Sequence, residues 1–264
     1  MNIVLAHGIF GFRRIGWIEY FNGVKRHLEG RFPVRVLVTE VSPDQGIEVR
    51  GPDLGRQIIA ALSDGTLGPG QKTHIIAHSR GGLDARFILS TNPDNIADRI
   101  TSLTTIGTPH QGSPVADLII RAADGGDLTI PERLTATVLR QTIDALGISL
   151  DGLRDLTTAR TAQFNNDLPD NSGVHYFSIA GRGRDGLLPA SGVLLLAYRH
   201  VKGIDGDNDG LVSVRSASRG QAEIWPVDHA DEVGHDLDFG PLAQPPFFDY
   251  LAEYRKIVGK LSGL

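Results

Sequence analysis

The chain has no cysteine, one methionine and few aromatic residues, which make up 6% of its 264 residues. Without cysteine it forms neither disulfides nor thiolate metal sites, and a thiol nucleophile is excluded. The chain also lacks a strong excess of positive charge, since the net charge is −5 and no basic cluster is longer than Arg13-Arg14. We therefore expect no nucleic-acid partner.

Long apolar runs are absent as well. The apolar stretch at 187–197 is too short and too broken to span a bilayer, and residues 1–7 lack the basic and apolar regions of a signal peptide. We expect a soluble protein that is cytoplasmic or exported without a cleaved signal peptide. The 41% hydrophobic and 22% charged residues are typical of a globular domain with a sizeable core.

Strand-like apolar runs alternate with segments of helical period in the first half of the chain. These runs lie at 2–6, 34–39, 73–77, 101–106, 174–180 and 221–225. Such alternation is typical of βαβ units. It predicts a mostly parallel central sheet with helices on both faces.

The alternation breaks after residue 112. From about 113 to 165 there is no strong strand pattern, and Leu134, Val138 and Ile143 follow helical spacing on one face of a segment at 131–147. We expect a single domain over the whole chain, with 113–165 inserted between strands. This insertion is either a lid over a site or a set of helices packed on the sheet.

A serine flanked by small residues lies between the third strand-like run and a helical segment. The sequence there is Ala77-His78-Ser79-Arg80-Gly81-Gly82. A strand that turns sharply into a helix at such a serine is the nucleophile elbow of the α/β-hydrolases. Ala77 stands where glycine is usual, and Gly81 keeps the pattern. The predicted fold is therefore an α/β-hydrolase with Ser79 as nucleophile.

A nucleophilic serine needs a histidine base and an acid that orients it, in the chain order Ser, Asp or Glu, His. His229 follows the last strand pattern through a short turn, and His235 is its main competitor. The acidic run at 205–210 precedes both histidines. Asp209 is our choice of acid because it leads into apolar residues, where a buried carboxylate needs a partner.

The same acidic run imitates the start of an EF-hand calcium loop. An EF-hand requires a bidentate glutamate at loop position twelve, and Ser216 stands there. The EF-hand interpretation therefore fails on its most demanding ligand. A solvated acidic turn is the remaining alternative to a catalytic acid.

An oxyanion hole needs two backbone N–H groups aimed at the developing charge. The residue after the nucleophile, Arg80, supplies one. The loop after the first strand supplies the other, because Gly8 lets the backbone approach the substrate and Ile9 follows it.

Taken together, these segments resemble the bacterial triacylglycerol lipases of the Proteus, Pseudomonas and Burkholderia type, most closely the Proteus branch. The matching segments are 3–12, 48–51, 77–82, 107–113, 208–212 and 229–233. The resemblance implies the triad Ser79, Asp209 and His229. It also implies oxyanion donors at Ile9 and Arg80, a lid within 113–165, and acylglycerol substrates at a lipid–water interface. Family members usually have Gln or His where this chain has Arg80.

The resemblance further implies a calcium ion that ties the loop of the triad histidine to a neighbouring loop. Asp231 would supply a carboxylate, and His235 and Phe239 would supply backbone carbonyls. The second aspartate is missing, since residues 187–189 read Leu-Leu-Pro, and Asp185 is the nearest substitute. We expect no required cofactor and at most a weak structural calcium site, since ligand charge controls calcium affinity.

Two alternatives to a lipase remain open. An esterase or acyltransferase acting on water-soluble esters would use the same site. A non-catalytic α/β-hydrolase scaffold would keep the fold for binding, but it has no reason to retain every site element. The residues carry no prediction of an oligomeric state.

Overall fold

The structure is a computed structural model that describes residues 1–9, 14–15, 18–145, 149–185, 188–192, 194–235 and 248–264. Its strands are β1 (Asn2–Ala6), β2 (Arg14–Ile15), β3 (Ile18–Glu19), β4 (Arg35–Val38), β5 (Thr73–His78), β6 (Ile100–Ile106), β7 (His175–Gly181) and β8 (Ala222–Trp225). Six of them form one sheet in the order β4-β1-β5-β6-β7-β8, and every neighbouring pair is parallel. The predicted parallel sheet is confirmed.

The helices lie on both faces of this sheet. They are α1 (Val24–Glu29), α2 (Ile47–Ser63), α3 (Gly81–Thr91), α4 (Pro114–Ala123), α5 (Ile130–Ala145), α6 (Leu150–Arg154), α7 (Thr158–Asp167), α8 (Leu194–Asp205), α9 (Val214–Ala217) and α10 (Tyr250–Leu261). Short 3₁₀ turns occupy Pro93–Arg99 and Asp231–Val233. No helix of the described part of the chain combines the length and apolar character needed to cross a bilayer.

Strand β1, which lies between β4 and β5, is buried along its whole length. Ile3 and Leu5 contribute to a core cluster with residues of α1 and α10, whereas Val4 and Ala6 contribute to a cluster with residues of α2 and α3. Side chains alternate across a strand, so a sheet covered on both faces requires a continuous apolar run rather than an alternating one. This requirement explains the sequence pattern of β1.

Residues 114–167 are described as four helices, α4 to α7, apart from a gap at 146–148. The first, α4, is capped by Ser113, whose side chain accepts a hydrogen bond from the backbone N–H of Val115. A third core cluster joins these helices to α3 and α8, and it includes Leu83, Val115, Ile119, Leu139, Leu153 and Val201. The inserted helices therefore have an apolar base of their own above the sheet.

Candidate active site

Ser79 lies at the turn between β5 and α3, at the carboxyl edge of the sheet. Its φ of 55° is in the left-handed region, which costs a non-glycine residue about 1–3 kcal/mol. The turn is held by the backbone N–H of Ser79, which donates to the Ile106 carbonyl (2.8 Å), and by Thr108 Oγ1, which donates to the Ser79 carbonyl (2.7 Å). A Cβ on Gly81 would lie 2.6 Å from the carbonyl oxygens of Ala6 and His7, so the turn requires glycine there.

The structure brings Ser79, His229 and Asp209 into one hydrogen-bonded chain. His229 Nε2 lies 3.0 Å from Ser79 Oγ, and His229 Nδ1 lies 2.7 Å from Asp209 Oδ2. The backbone N–H of His229 also donates to the Asp209 carbonyl at 2.8 Å. The other carboxylate oxygen of Asp209 accepts from the backbone N–H groups of Leu211 (2.8 Å) and Val212 (2.7 Å). These bonds fix both the imidazole and the carboxylate that orients it.

The competing candidates lie elsewhere. His235 Nε2 donates to the Tyr20 carbonyl at 2.9 Å. In the acidic run, Asp207 forms an ion pair with Lys202 at the surface, while Asp205 accepts a hydrogen bond from Ser213 Oγ (2.9 Å). Only Asp209, of the acids in this run, is hydrogen-bonded to His229.

The loop that carries Ile9 packs directly against the nucleophile. A Cβ on Gly8 would lie 2.8 Å from Ser79 Cβ, so this close approach depends on glycine. His7 holds the loop, because its Nδ1 donates to the Gly8 carbonyl (2.9 Å) and its Nε2 accepts from the Val41 N–H (3.0 Å). Burial, aided by the nearby Arg50 cation, lowers the pKa of His7 to about 4. The imidazole is therefore neutral at pH 7, as this pair of hydrogen bonds requires.

A buried arginine, Arg50, also holds the loop that carries Ile9. Arg50 Nη2 donates to the Gly8 carbonyl (3.1 Å), and Arg50 Nε donates to Asp84 Oδ2 (2.9 Å). Both side chains of this ion pair are almost fully buried. Arg50 lies within the matching segment 48–51, but its role in the loop was not predicted from the sequence.

The side chain of Arg80 points away from the reacting atoms and joins the elbow to the inserted helices. Its Nη2 donates to Asp155 Oδ2 (2.8 Å) and to the Gln45 carbonyl (2.6 Å). The same Asp155 oxygen accepts from the Ile47 N–H (2.8 Å). Burial lowers the pKa of Arg80 and raises that of Asp155. Arg80, which stands where the family usually has Gln or His, is thus paired with Asp155 of the insertion.

A second buried chain of polar side chains runs behind His229. Tyr20 Oη lies 2.7 Å from His78 Nδ1, and His78 Nε2 lies 2.9 Å from Glu232 Oε2. Burial lowers the pKa of His78, and burial together with the Asp209 charge raises that of Glu232, so both groups favour their neutral forms. In sequence the only signal was that His78 and Glu232 lie within the matching segments 77–82 and 229–233.

Similarity to known proteins agrees with this geometry. A Vibrio cholerae triacylglycerol lipase is 30% identical to the chain, over 98% of this chain and 87% of that protein. A Pseudomonas fragi triacylglycerol lipase is 32% identical, over 88% of this chain and 87% of that protein. The chain belongs to the bacterial triacylglycerol lipase family. The predicted family is confirmed, and the chain is a carboxylic ester hydrolase.

Solved lipase structures confirm the α/β-hydrolase fold. The mature form of a Bacillus licheniformis lipase superposes with a TM-score of 0.68 at 22% identity, over 88% of this chain and 86% of that one. A Staphylococcus hyicus lipase gives a TM-score of 0.68 at 18% identity, over 98% and 95% of the two chains. No protein-family model matches the chain.

The calcium site implied by the lipase family does not fit the residues of this chain. Both carboxylate oxygens of Asp231 are engaged by the guanidinium of Arg184. Asp185 forms an ion pair with Arg182 at the surface, and Leu188 cannot supply a carboxylate. Phe239, the source of one implied carbonyl ligand, lies outside the described residues. Asp231 is therefore held by a cation of the protein itself.

Within the described residues, one group of His and acidic side chains has metal-like spacing. It consists of His78, His229 and Glu232, whose ligand atoms lie within 4.8 Å of one another. These groups are buried and hydrogen-bonded to one another or to Asp209 and Tyr20. We therefore interpret them as a polar network and not as a metal centre.

Proposed function

We propose that this protein hydrolyses acylglycerol esters through an acyl-enzyme on Ser79. The observation that carries the proposal is the chain Asp209–His229–Ser79, with contacts of 2.7 and 3.0 Å, beside the packed loop of Ile9. Triacylglycerol lipases at 30–32% identity support the substrate class.

In the acylation step, Ser79 Oγ attacks the ester carbonyl carbon while His229 Nε2 takes its proton. Asp209 holds the imidazole in the required tautomer through its bond to Nδ1. The backbone N–H groups of Ile9 and Arg80 donate to the resulting oxyanion. When the intermediate collapses, the C–O bond to the alcohol breaks, and the alkoxide takes the proton from His229.

In deacylation, water attacks the acyl carbon and gives a proton to His229. Collapse of the second intermediate breaks the bond to Ser79 Oγ, and His229 returns the proton to that oxygen. The fatty acid leaves and the enzyme is restored. Over both steps one water is consumed for each ester bond.

The apolar surface of α5 supports action at a lipid surface, with the insertion at 113–165 carrying a lid. Ile130 and Leu134 are 86% and 63% exposed, whereas Leu139 is buried in the third core cluster. The sequence predicted that Leu134, Val138 and Ile143 share one apolar face of this helix. In the structure Leu134 is exposed, whereas Val138 and Ile143 are half-buried. The exposed pair gives α5 an apolar patch that contacts lipid more favourably than water.

The proposal is tested with Ser79→Ala on a series of esters from acetyl to long acyl chains. We expect the variant to lose at least about a thousandfold in kcat, and to lose labelling by an organophosphonate that mass spectrometry maps to residue 79 in the wild type. Ser63→Ala, at an exposed serine, is the matched control.

A Ser79→Ala variant that keeps more than about a hundredth of wild-type turnover would exclude Ser79 as nucleophile. Turnover confined to short soluble esters would favour the esterase alternative. A folded wild type with no turnover and no labelling would favour the scaffold.

A further inference from the structure

Arg184 lies in the loop that follows β7, on the side of the site where that loop meets the turn carrying His229. Its Nε donates to Asp231 Oδ2 (2.6 Å) and its Nη2 donates to Asp231 Oδ1 (2.7 Å). This is a bidentate pair, in which the planar guanidinium fixes the orientation of the carboxylate as well as its position. The Arg184 and Asp231 side chains are only 17% and 18% exposed.

A second carboxylate, that of Asp228 directly before His229 in the sequence, lies near the same guanidinium. Asp228 Oδ2 lies 3.5 Å from Arg184 Nη2, and this carboxylate is fully buried. It also accepts from the backbone N–H and the hydroxyl of Ser191, at 2.9 and 2.6 Å. One cation is thus shared by the residue before His229 and the residue two after it.

The turn itself is held by the Asp228 carboxylate. Asp228 Oδ1 accepts from the backbone N–H groups of Ala230 (3.0 Å) and Asp231 (3.1 Å). The backbone of the Arg184 loop is fixed as well, since the Arg184 N–H donates to the Pro189 carbonyl (2.7 Å) and the Gly183 N–H donates to the Val227 carbonyl (2.9 Å). The guanidinium therefore adds a charged side-chain link between two segments that the Gly183–Val227 backbone bond already brings together.

We propose that Arg184 is a positioning residue for His229 and that its guanidinium takes the structural place of the metal ion that the family implies. A divalent ion needs several oxygen ligands and is lost to chelators, whereas this cation is covalently part of the chain. It ties the His229 turn to the loop after β7 and keeps the imidazole aligned with Ser79 Oγ. The proposal rests on the proposed role of His229 as the base.

The test compares Arg184→Met with Arg182→Met, because Arg182 lies two residues earlier and pairs only at the surface, where its partner Asp185 is 72% exposed. Asp231→Asn and the Arg184→Met/Asp231→Asn double variant complete the set. For each protein kcat and KM are measured on a soluble short-chain ester, and Tm is measured with chelator and with millimolar calcium.

We expect Arg184→Met to lower kcat at least tenfold with KM within twofold, because the base is misaligned while the binding surface is unchanged. Its Tm should fall by about 5 °C, as expected when a partly buried ion pair loses one partner. Arg182→Met should match the wild type. The double variant should be no worse than Arg184→Met alone, since both substitutions break one interaction. The wild type should keep its kcat and Tm in chelator.

Three results would overturn the proposal: wild-type kcat in Arg184→Met, additive losses in the double variant, or a wild type that chelator inactivates and calcium restores. Wild-type kcat in Arg184→Met overturns the proposal even when its Tm falls, because a merely structural ion pair would give that result. The Tm measurements do not depend on catalysis, so they remain informative if Ser79→Ala shows that the proposed function is wrong.

Discussion

Asp209 differs from its acidic neighbours in what its carboxylate touches. One oxygen accepts from His229 and the other from two backbone N–H groups, and the side chain is fully buried. Asp207, two residues earlier, pairs with Lys202 in solvent. Exposed pairs of this kind contribute about 0–1 kcal/mol to stability, so the two positions offer opposite expectations for the same substitution.

We predict that Asp209→Asn lowers kcat by about a thousandfold or more while the protein stays folded, because the amide permits the wrong imidazole tautomer. Asp207→Asn should stay within about twofold of the wild type, since it changes only a surface pair. Steady-state kinetics on a soluble ester, with circular dichroism for folding, checks both. A large loss at Asp207 and a small one at Asp209 would contradict the assignment of the acid.

The residues predictable from sequence were those with a local pattern. Ser79 has small neighbours at fixed offsets, and His229 and Asp209 follow in the required order. The supporting residues belong to no motif with a fixed order or spacing, and their partners are distant in sequence: Arg50 and Asp84 are 34 positions apart, and Arg184 and Asp231 are 47 apart. A single sequence shows that such charges exist but not which of them meet.

At the scale of elements, the six strands of the parallel sheet were predicted to within about one residue at each end, because buried parallel strands are continuous apolar runs. The two-residue strands β2 and β3 were not predicted. The helix at 131–147 was also anticipated, and its described part is Ile130–Ala145. The other inserted helices carried weaker signals. One of these, α6, has only five residues, too few for a helical period to be visible.

The inserted helices divide into a tethered part and a part with an exposed apolar surface. Residues 149–167 include Asp155, which is bound to the buried Arg80 and to the Ile47 N–H. In contrast, α5 follows a turn at Gly125, whose φ of 76° favours glycine. The Arg80–Asp155 ion pair lies next to Ser79, so it links the position of the inserted helices to the position of the nucleophile.

We predict that Asp155→Asn lowers the free energy of unfolding by about 3 kcal/mol, because the buried Arg80 loses the charge of its hydrogen-bonded carboxylate partner. Asp144→Asn, which breaks an exposed pair with Arg140 on α5, should cost less than about 0.5 kcal/mol. Urea denaturation of both variants checks the difference. Equal effects would mean that the Arg80–Asp155 pair does not hold the insertion.

For the whole molecule, the decisive feature is that the site is assembled but covered. Ser79 and His229 are only 7% and 4% exposed, although their side chains are already aligned. From this low exposure we propose that a long acyl chain reaches Ser79 Oγ only after the surrounding structure moves. The exposed apolar patch of Ile130 and Leu134 on α5 gives such a movement a driving force at a lipid surface, where the patch leaves water.

We therefore predict that a water-soluble organophosphonate labels Ser79 about tenfold faster once detergent micelles are present, as expected for an open form that is a minor species in buffer. In the Ile130→Ser/Leu134→Ser variant this acceleration should be largely lost, while labelling in buffer and Tm stay unchanged, because both side chains are exposed. Thr137→Ser, at another exposed position of α5, is the matched control. Intact-mass spectrometry over time gives the rates. Equal rates with and without micelles would mean that the covered site opens without help from a lipid surface, and that α5 packs on the fold without acting as a lid.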